Sequence, residues 1–264
     1  MTLDAAAMLG LYDEQLRLAP EFAGATNVTR LGPLHLVEYT ESRGVVTYRD
    51  LDGANAVEIR RLVADAKAFF EAKEKITNVR WKPRAHDVAP GLYEALVAEG
   101  FEPEDTRAIM VGEAKSLIID EELPEGVRLR QIAEEEDLYA YGVMVDKAYG
   151  LNRAEQYAQR LSGLIAGDMG VEIWAAESDG KIIGGGRLDP VPSTDFSGLW
   201  GGGMLQEWRG QGIYRALTSV RARSALAMGK TLIQCDCSVY SLPILEKSGL
   251  VKISETTPHL WQRP

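Results

Sequence analysis

The sequence predicts an α/β chain in two domains, and three observations carry that reading. Its length of 264 residues fits two domains of about 100–150 residues each. The acidic segment Asp120-Glu121-Glu122-Leu123-Pro124-Glu125-Gly126, with its Pro and Gly, reads as a linker. It puts one domain at 1–120 and the other at 121–264. Past it, the apolar pattern switches between strand and helix in the order β-α-α-β-β-β-α-β-α-β-β.

In the first domain, residues 4–19 read as an amphipathic helix on Leu9, Tyr12, Leu16 and Leu18, ended by Pro20. Residues 34–39 and 45–48 read as strands around a turn at Glu41-Ser42-Arg43-Gly44. Residues 55–75 form a long helix with Val57, Leu62, Val63, Ala66, Phe69 and Phe70 as its apolar face. A strand follows at 78–81. The short helix at 90–99 is stopped by Gly100, which suits a left-handed C-terminal cap. A further strand lies at 108–111.

In the second domain a strand at 127–130 precedes helices at 134–149 and 153–166. Strands 171–177 and 181–188 form a hairpin across Ser178-Asp179-Gly180, where Asp-Gly favours a tight turn. A strand at 196–205 leads into a helix at 212–228. Then come a strand at 231–237, a short helix at 241–248 ending before Gly249, and strands at 250–254 and 259–262 that close the sheet.

Composition narrows the function. Hydrophobic residues make up 45% and charged residues 26%, ordinary for a globular protein. A net charge of −10 disfavours a phosphate backbone as partner, so no nucleic acid is expected. No apolar run of about 18 residues exists to span a membrane. Met1-Thr2-Leu3-Asp4 has no basic region followed by an apolar run, so a cytoplasmic location is expected. Cys235 and Cys237 would share one strand face; with no His cluster beside them, buried packing is expected and no metal.

The sharpest signal is Leu199-Trp200-Gly201-Gly202-Gly203-Met204-Leu205-Gln206-Glu207-Trp208-Arg209-Gly210-Gln211-Gly212-Ile213-Tyr214. A glycine-bearing strand turns into a helix whose Ile213, Leu217, Val220 and Ala227 share one face, with Arg215, Arg221 and Arg223 elsewhere. The first N–H groups of a helix lack internal partners, and the helix dipole makes that end partly positive. Gly210 and Gly212 let a phosphate reach the backbone, and Arg209 adds a cation. The competing reading is a turn needing glycine for backbone reasons alone. Ile213 and Tyr214 stand where a P-loop has Lys and Ser or Thr, and Arg215 stands where a dinucleotide fingerprint has its third Gly.

These residues resemble the GCN5-related N-acetyltransferase (GNAT) superfamily. Its motif, Arg/Gln-x-x-Gly-x-Gly/Ala, is matched by Arg209 and Gly212, with Tyr214 as a departure. Residues 238–250 look like the family's second cofactor segment. Asp195 to Gly203, with Thr257-Pro258-His259-Leu260-Trp261, is similar to a bacterial branch. Residues 44–111, with Leu92-Tyr93-Glu94-Ala95-Leu96-Val97-Ala98-Glu99-Gly100-Phe101, look like a worn copy that lacks the cofactor motif.

The resemblance implies a mostly antiparallel central sheet flanked by helices, in two tandem copies. It implies acetyl-CoA as co-substrate and transfer of its acetyl group to an amine of a small molecule or peptide. A non-catalytic acyl-CoA-binding regulatory module is the alternative. The cofactor residues would be Gly202, Gly203, Met204, Arg209, Gly210, Gln211, Gly212, Ile213, Tyr214, Ser238 and Ser241. In that set the amides of Gly202, Gly203 and Met204 would face the thioester. Ser241 also reads as the N-cap of a helix with Pro243 in its first turn. Leu245 stands where many members have a Tyr acid, leaving Tyr240 as a replacement donor. Asp195 is a candidate base, with Asp189, Glu172 and Glu207 as others. A monomer or homodimer is expected.

Overall fold

The structure is a computed structural model describing residues 3–39, 42–120, 122–167 and 169–264. Met1, Thr2, Glu41 of the expected turn and Glu121 of the expected linker lie outside the described residues. Two compact units form, neither continuous in sequence. The first is Met1–Ile109, Asp236–Val239 and Lys252–Pro264; the second is Met110–Cys235 and Tyr240–Val251.

The chain opens with α1 (Ala5–Gln15), whose N-cap Asp4 accepts from the Ala7 amide at 2.8 Å. It buries Met8 and Tyr12, so Met8 takes the place expected of Leu9. A meander follows: β1 (Asn27–Leu31), β2 (Leu34–Tyr39) and β3 (Arg43–Thr47). The sequence reading missed β1, a mostly exposed strand with no apolar alternation to betray it. Then come α2 (Ala56–Glu71), β4 (Asn78–Trp81), α3 (Leu92–Ala98), β5 (Glu102–Pro103) and β6 (Arg107–Glu113). Helix α2 buries Ile59, Val63, Ala66 and Phe70, a stripe at helical spacing. Val57, expected on that face, is 78% exposed. Gly100 has φ +81°, the left-handed cap the sequence called for.

The later elements fall within two residues of their expected bounds at nearly every end. They are β7 (Val127–Ile132), α4 (Glu135–Tyr149), α5 (Ala154–Ala166), β8 (Glu172–Ser178), β9 (Lys181–Pro190) and β10 (Phe196–Met204). After these come α6 (Ile213–Ala227), β11 (Leu232–Cys237), α7 (Leu242–Lys247), β12 (Val251–Thr256) and β13 (His259–Gln262). Asp179 (φ +49°) and Gly180 (φ +73°) make the β8–β9 turn, both left-handed as a two-residue hairpin of type I′ requires.

Six strands form one sheet in the order β1-β2-β3-β4-β13-β5, and seven form the other in the order β12-β6-β11-β10-β9-β8-β7. This corrects one expectation. Strand β13 does not close the second domain's sheet; it lies in the six-stranded sheet, antiparallel to both β4 and β5. Its buried positions, His259 and Trp261, alternate as a strand's must. Apolar alternation marks a segment as a strand but does not say which strand it joins. In return, β6 joins the seven-stranded sheet between β12 and β11.

The first unit's core gathers Tyr48, Phe70, Trp81, Leu96, Phe101 and Trp261. Trp81 and Phe101 meet edge to face, with ring centroids 6.2 Å apart. The second unit's core is built on Tyr141, Leu161, Ile173, Ile183, Ile213 and Leu217.

Strand β9 explains how the second unit's helices pack. An added Cβ would meet the Met204 side chain at 2.5 Å from Gly184, the Tyr141 ring at 2.6 Å from Gly185, and the Arg221 guanidinium at 2.4 Å from Gly186. Neighbouring strand residues face opposite sides, so Tyr141 of α4 and Arg221 of α6 cover opposite faces of the sheet. Arg221 is therefore not on an outer face of its helix, as its sequence position suggested. It is 1% exposed, and donates from Nε to the Leu217 carbonyl at 2.9 Å and from Nη1 to the Arg187 carbonyl at 3.2 Å. Burial pushes its guanidinium pKa down.

Candidate functional site

The site grows from β10. This strand pairs in parallel with β11 only over Phe196–Gly198 against Leu232–Gln234. From Leu199 onward that edge of β10 has no β11 partner, and its backbone groups are left for another use. On the other edge the register with β9 shifts: Trp200 opposes Arg187, and Gly203 opposes Gly185. Three steps along β10 answer two along β9, which is a β-bulge at Gly201 and Gly202. Gly201 has φ +62°, a conformation that glycine adopts without strain.

Side chains from three helices converge on this bulge. Tyr141 of α4 donates to the Gly201 carbonyl at 2.6 Å, and Tyr149, at the end of α4, donates to the Gly202 carbonyl at 2.6 Å. The Tyr157 hydroxyl of α5 would lie 2.7 Å from a Cβ on Gly201, and the Tyr214 ring of α6 would lie 3.2 Å from one on Gly202. Burial pushes the Tyr141 phenol well above the usual tyrosine range and that of Tyr149 up as well. Both hydroxyls therefore keep their protons and act as donors.

Past Met204 the chain makes a short 3₁₀ turn at Gln206–Trp208 and enters α6 through Arg209, Gly210, Gln211 and Gly212. Gly210 has φ +77° and Gly212 φ +80°. The Arg209 guanidinium anchors the turn: Nε donates to the Met204 carbonyl at 3.1 Å and Nη2 to that of Ala148 at 3.5 Å. Gln211 folds back to the Glu207 carbonyl at 3.1 Å. Gly212 is the N-cap of α6, no side chain caps the helix, and no acidic residue occupies its first turn. The amides of Gly210, Gln211, Gly212 and Ile213 find no acceptor among the described residues. A helix start of this kind is a ready anion site.

The structure thus brings Gly202, Gly203, Met204 and Arg209 to Tyr214 together at one end of β10. Ser238, the first residue after β11, is exposed, as is Tyr240, at 85%. Ser241 is the N-cap of α7, but its side chain makes no capping hydrogen bond; its carbonyl accepts from Ile244 and Leu245. Leu245 is 2% exposed and serves packing.

Asp195 stands apart. It precedes β10 at the end opposite the bulge, roughly 25 Å from Gly203 at about 3.3 Å per strand residue. Asp189 lies at the same end, opposite Gly198, held by Arg187 at 2.5 Å, with burial pushing its carboxyl up. Glu172 accepts from Trp174 and Ser224, each at 2.7 Å. Glu207 faces Lys147 at 3.5 Å. Cys235 and Cys237 are buried and outside any disulfide. Among the described residues no group of three or more His, Cys, Asp or Glu could hold a metal ion, and no helix is long and apolar enough to cross a membrane.

No protein-family profile matches the sequence, and neither does any curated protein. Solved structures do resemble it. One is a GCN5-related N-acetyltransferase from Kribbella flavida, 17% identical with a TM-score of 0.65, covering 98% of this chain and 94% of that one. Another, from Sphaerobacter thermophilus, is also described as a GCN5-related N-acetyltransferase; it is 15% identical with a TM-score of 0.65, over 88% of this chain and 78% of that one. The fold is therefore that of the GCN5-related N-acetyltransferases. Its form is the tandem one. A tandem GNAT protein from the clavulanic acid biosynthesis pathway, 15% identical with a TM-score of 0.62, covers 100% of this chain and 98% of its own.

Proposed function

We propose that the second unit binds acetyl-CoA and transfers its acetyl group to an amine of a small molecule or peptide. The start of α6 carries this reading. Its free amides, two left-handed glycines and missing side-chain cap sit beside a β10 edge left open by β11. The amides of Gly210 to Ile213 would hold the pyrophosphate, with Arg209 fixing the turn and adding positive charge. Acetyl-CoA supplies an activated thioester. The amide groups at the β10 bulge are suited to its carbonyl oxygen, where negative charge develops when the amine nitrogen attacks. The surplus proton on the attacking nitrogen passes to water, the C–S bond breaks, and a thiol with a pKa of about 8.5 leaves as thiolate without needing an acid. The mechanism therefore tolerates Leu245 in place of a tyrosine.

The first unit would bind no coenzyme, because the corresponding helix, α2, is closed by its own side chains. Calorimetry with coenzyme A, followed by thiol release from acetyl-CoA across a panel of amines, tests the proposal. One coenzyme bound per chain with amine-dependent thiol release is the expected result; no binding overturns it. Leu245 favours a second reading, an acyl-CoA-binding module without turnover. Tight binding of acetyl-CoA with no transfer to any amine would select it.

A further inference from the structure

The first unit holds a serine, a histidine and a carboxylate in one hydrogen-bonded series. His86, between β4 and α3, has Nδ1 2.6 Å from the Ser254 hydroxyl of β12 and Nε2 3.1 Å from Asp13 Oδ1 of α1. Asp13 and Ser254 lie 73 and 168 positions from the histidine, so no local motif announces the series. All three residues belong to the first unit and none is part of the proposed coenzyme site.

The tautomer of His86 follows from the charges around it. Two carboxylates approach Nε2, Asp13 at 3.1 Å and Asp87 at 3.9 Å, so that nitrogen carries the proton and donates. Nδ1 keeps its lone pair, and Ser254 Oγ donates to it. The Glu255 carbonyl, 3.5 Å from the same hydroxyl, is a far longer alternative. Asp13 is itself held in place. Buried Arg17 donates from Nη1 to Asp13 at 3.3 Å and to Asp87 at 3.1 Å, and from Nη2 to the Tyr48 carbonyl at 2.5 Å. Burial alone would raise the Asp13 carboxyl, but the hydrogen bonds and charges of His86 and Arg17 bring it below its ordinary value. The side chains of Asp13 and His86 keep 31% and 20% of their surface exposed, so the series is open to solvent rather than sealed in the core. A nucleophile on a base, with the base oriented by a third group, is the arrangement that activates a serine, and it is recognised by geometry on unrelated folds.

From this geometry we infer that the first unit carries an esterolytic site of its own, with Ser254 as nucleophile, His86 as general base and Asp13 as the positioning residue for His86. Ser254 Oγ bonds to the carbonyl carbon of an ester while its proton passes to His86 Nδ1. The bond from that carbon to the leaving oxygen breaks, and the departing oxygen takes the proton from Nδ1. Water then attacks the acyl-serine, giving a proton to Nδ1. That proton returns to Oγ as the acyl–Oγ bond breaks and the carboxylic acid leaves. Water is the sole co-reactant. General-base assistance contributes about 10²–10⁴-fold, so the substrates expected are small esters with a good leaving group.

The test treats the whole protein with a fluorophosphonate probe and, separately, with p-nitrophenyl acetate. Peptide mapping by mass spectrometry should place the adduct on Ser254, formed as Oγ displaces fluoride from phosphorus. Labelling should slow about tenfold or more in His86→Gln and in Asp13→Asn, which keeps the shape of the side chain but loses its charge. Asp13→Glu, which restores the charge, should label faster than Asp13→Asn. Hydrolysis of p-nitrophenyl acetate should fall about tenfold or more in Ser254→Ala. Circular dichroism checks that each variant folds; if His86→Gln does not, the mapped adduct and Ser254→Ala decide. An adduct elsewhere or none, labelling in folded His86→Gln that slows by less than about tenfold, or hydrolysis no faster in the unaltered protein than in Ser254→Ala overturns the inference. Asp13→Glu no faster than Asp13→Asn overturns the role given to Asp13. None of these outcomes depends on whether the protein binds coenzyme A.

Discussion

Asn55 and Glu58 close the start of α2 on itself. Asn55 Oδ1 accepts from the amides of Val57 at 2.9 Å and Glu58 at 3.2 Å, while Glu58 Oε2 accepts from the Asn55 amide at 2.9 Å. This capping box uses up donors that an anion would need, and it sets a carboxylate in the first turn. Helix α6 begins with Gly212 and neither device. Asn55→Ala should therefore cost the protein about 1 kcal/mol, read by urea unfolding. Coenzyme stoichiometry and affinity, read by calorimetry, should not change.

Gly212→Ala should do the reverse. A non-glycine residue at φ +80° costs roughly 1–2 kcal/mol. The added methyl would also crowd the amides proposed to face the phosphates. Coenzyme affinity should fall about tenfold or more. Unchanged affinity in a folded variant would count against the assigned cradle.

The Arg209 side chain both charges and anchors the turn. Arg209→Ala should weaken coenzyme binding about tenfold, and Ser241→Ala by less than about threefold. Arg209→Lys keeps the charge but loses the Nε bond to Met204, so its affinity should fall between those of Arg209→Ala and the parent. Calorimetry on the three variants ranks them.

Gly186 makes room for Arg221. A methyl there would meet the guanidinium at 2.4 Å, in a fully buried site. Gly186→Ala should destabilise the protein by about 1–3 kcal/mol in chemical denaturation, the range for overpacking a core.

Arg130 ties two carboxylates in the second unit. It donates to Asp137 through Nη1 and Nη2, each at 2.6 Å, and to Glu177 through Nε at 2.6 Å. These hydrogen bonds hold both carboxyls below the usual carboxylate range. A carboxyl whose folded pKa is depressed stabilises the fold above its unfolded pKa, about 3.9 for Asp and 4.3 for Glu. That contribution is lost as pH falls through the folded values. Arg130→Met should therefore flatten the acid limb of stability against pH. An acid limb as steep as the parent's would sink this prediction.

What could be read from the sequence was local. The Asp179-Gly180 hairpin, the Gly100 cap and the strand-to-helix order around Gly202 to Tyr214 each rest on neighbouring residues, and the structure has these local elements as expected. What could not be read depended on distant partners. Arg221 looks like a surface cation until Gly186, on another strand, opens a space for it. Tyr141 and Tyr149 look like ordinary helix residues, because the carbonyls they clamp lie 60 and 53 positions away. Asp195 is close in sequence to the glycines of the bulge, but an extended strand carries it to the far end of β10. Strand β1 had too little buried apolar surface to register at all.

The exchange of β6 and β13 governs how the protein can be made. The six-stranded sheet lacks an interior strand until residues 259–262 have left the ribosome, so the amino-terminal half cannot finish folding before they emerge. Cutting the gene at the acidic linker would hand each fragment a strand that belongs to the other's sheet.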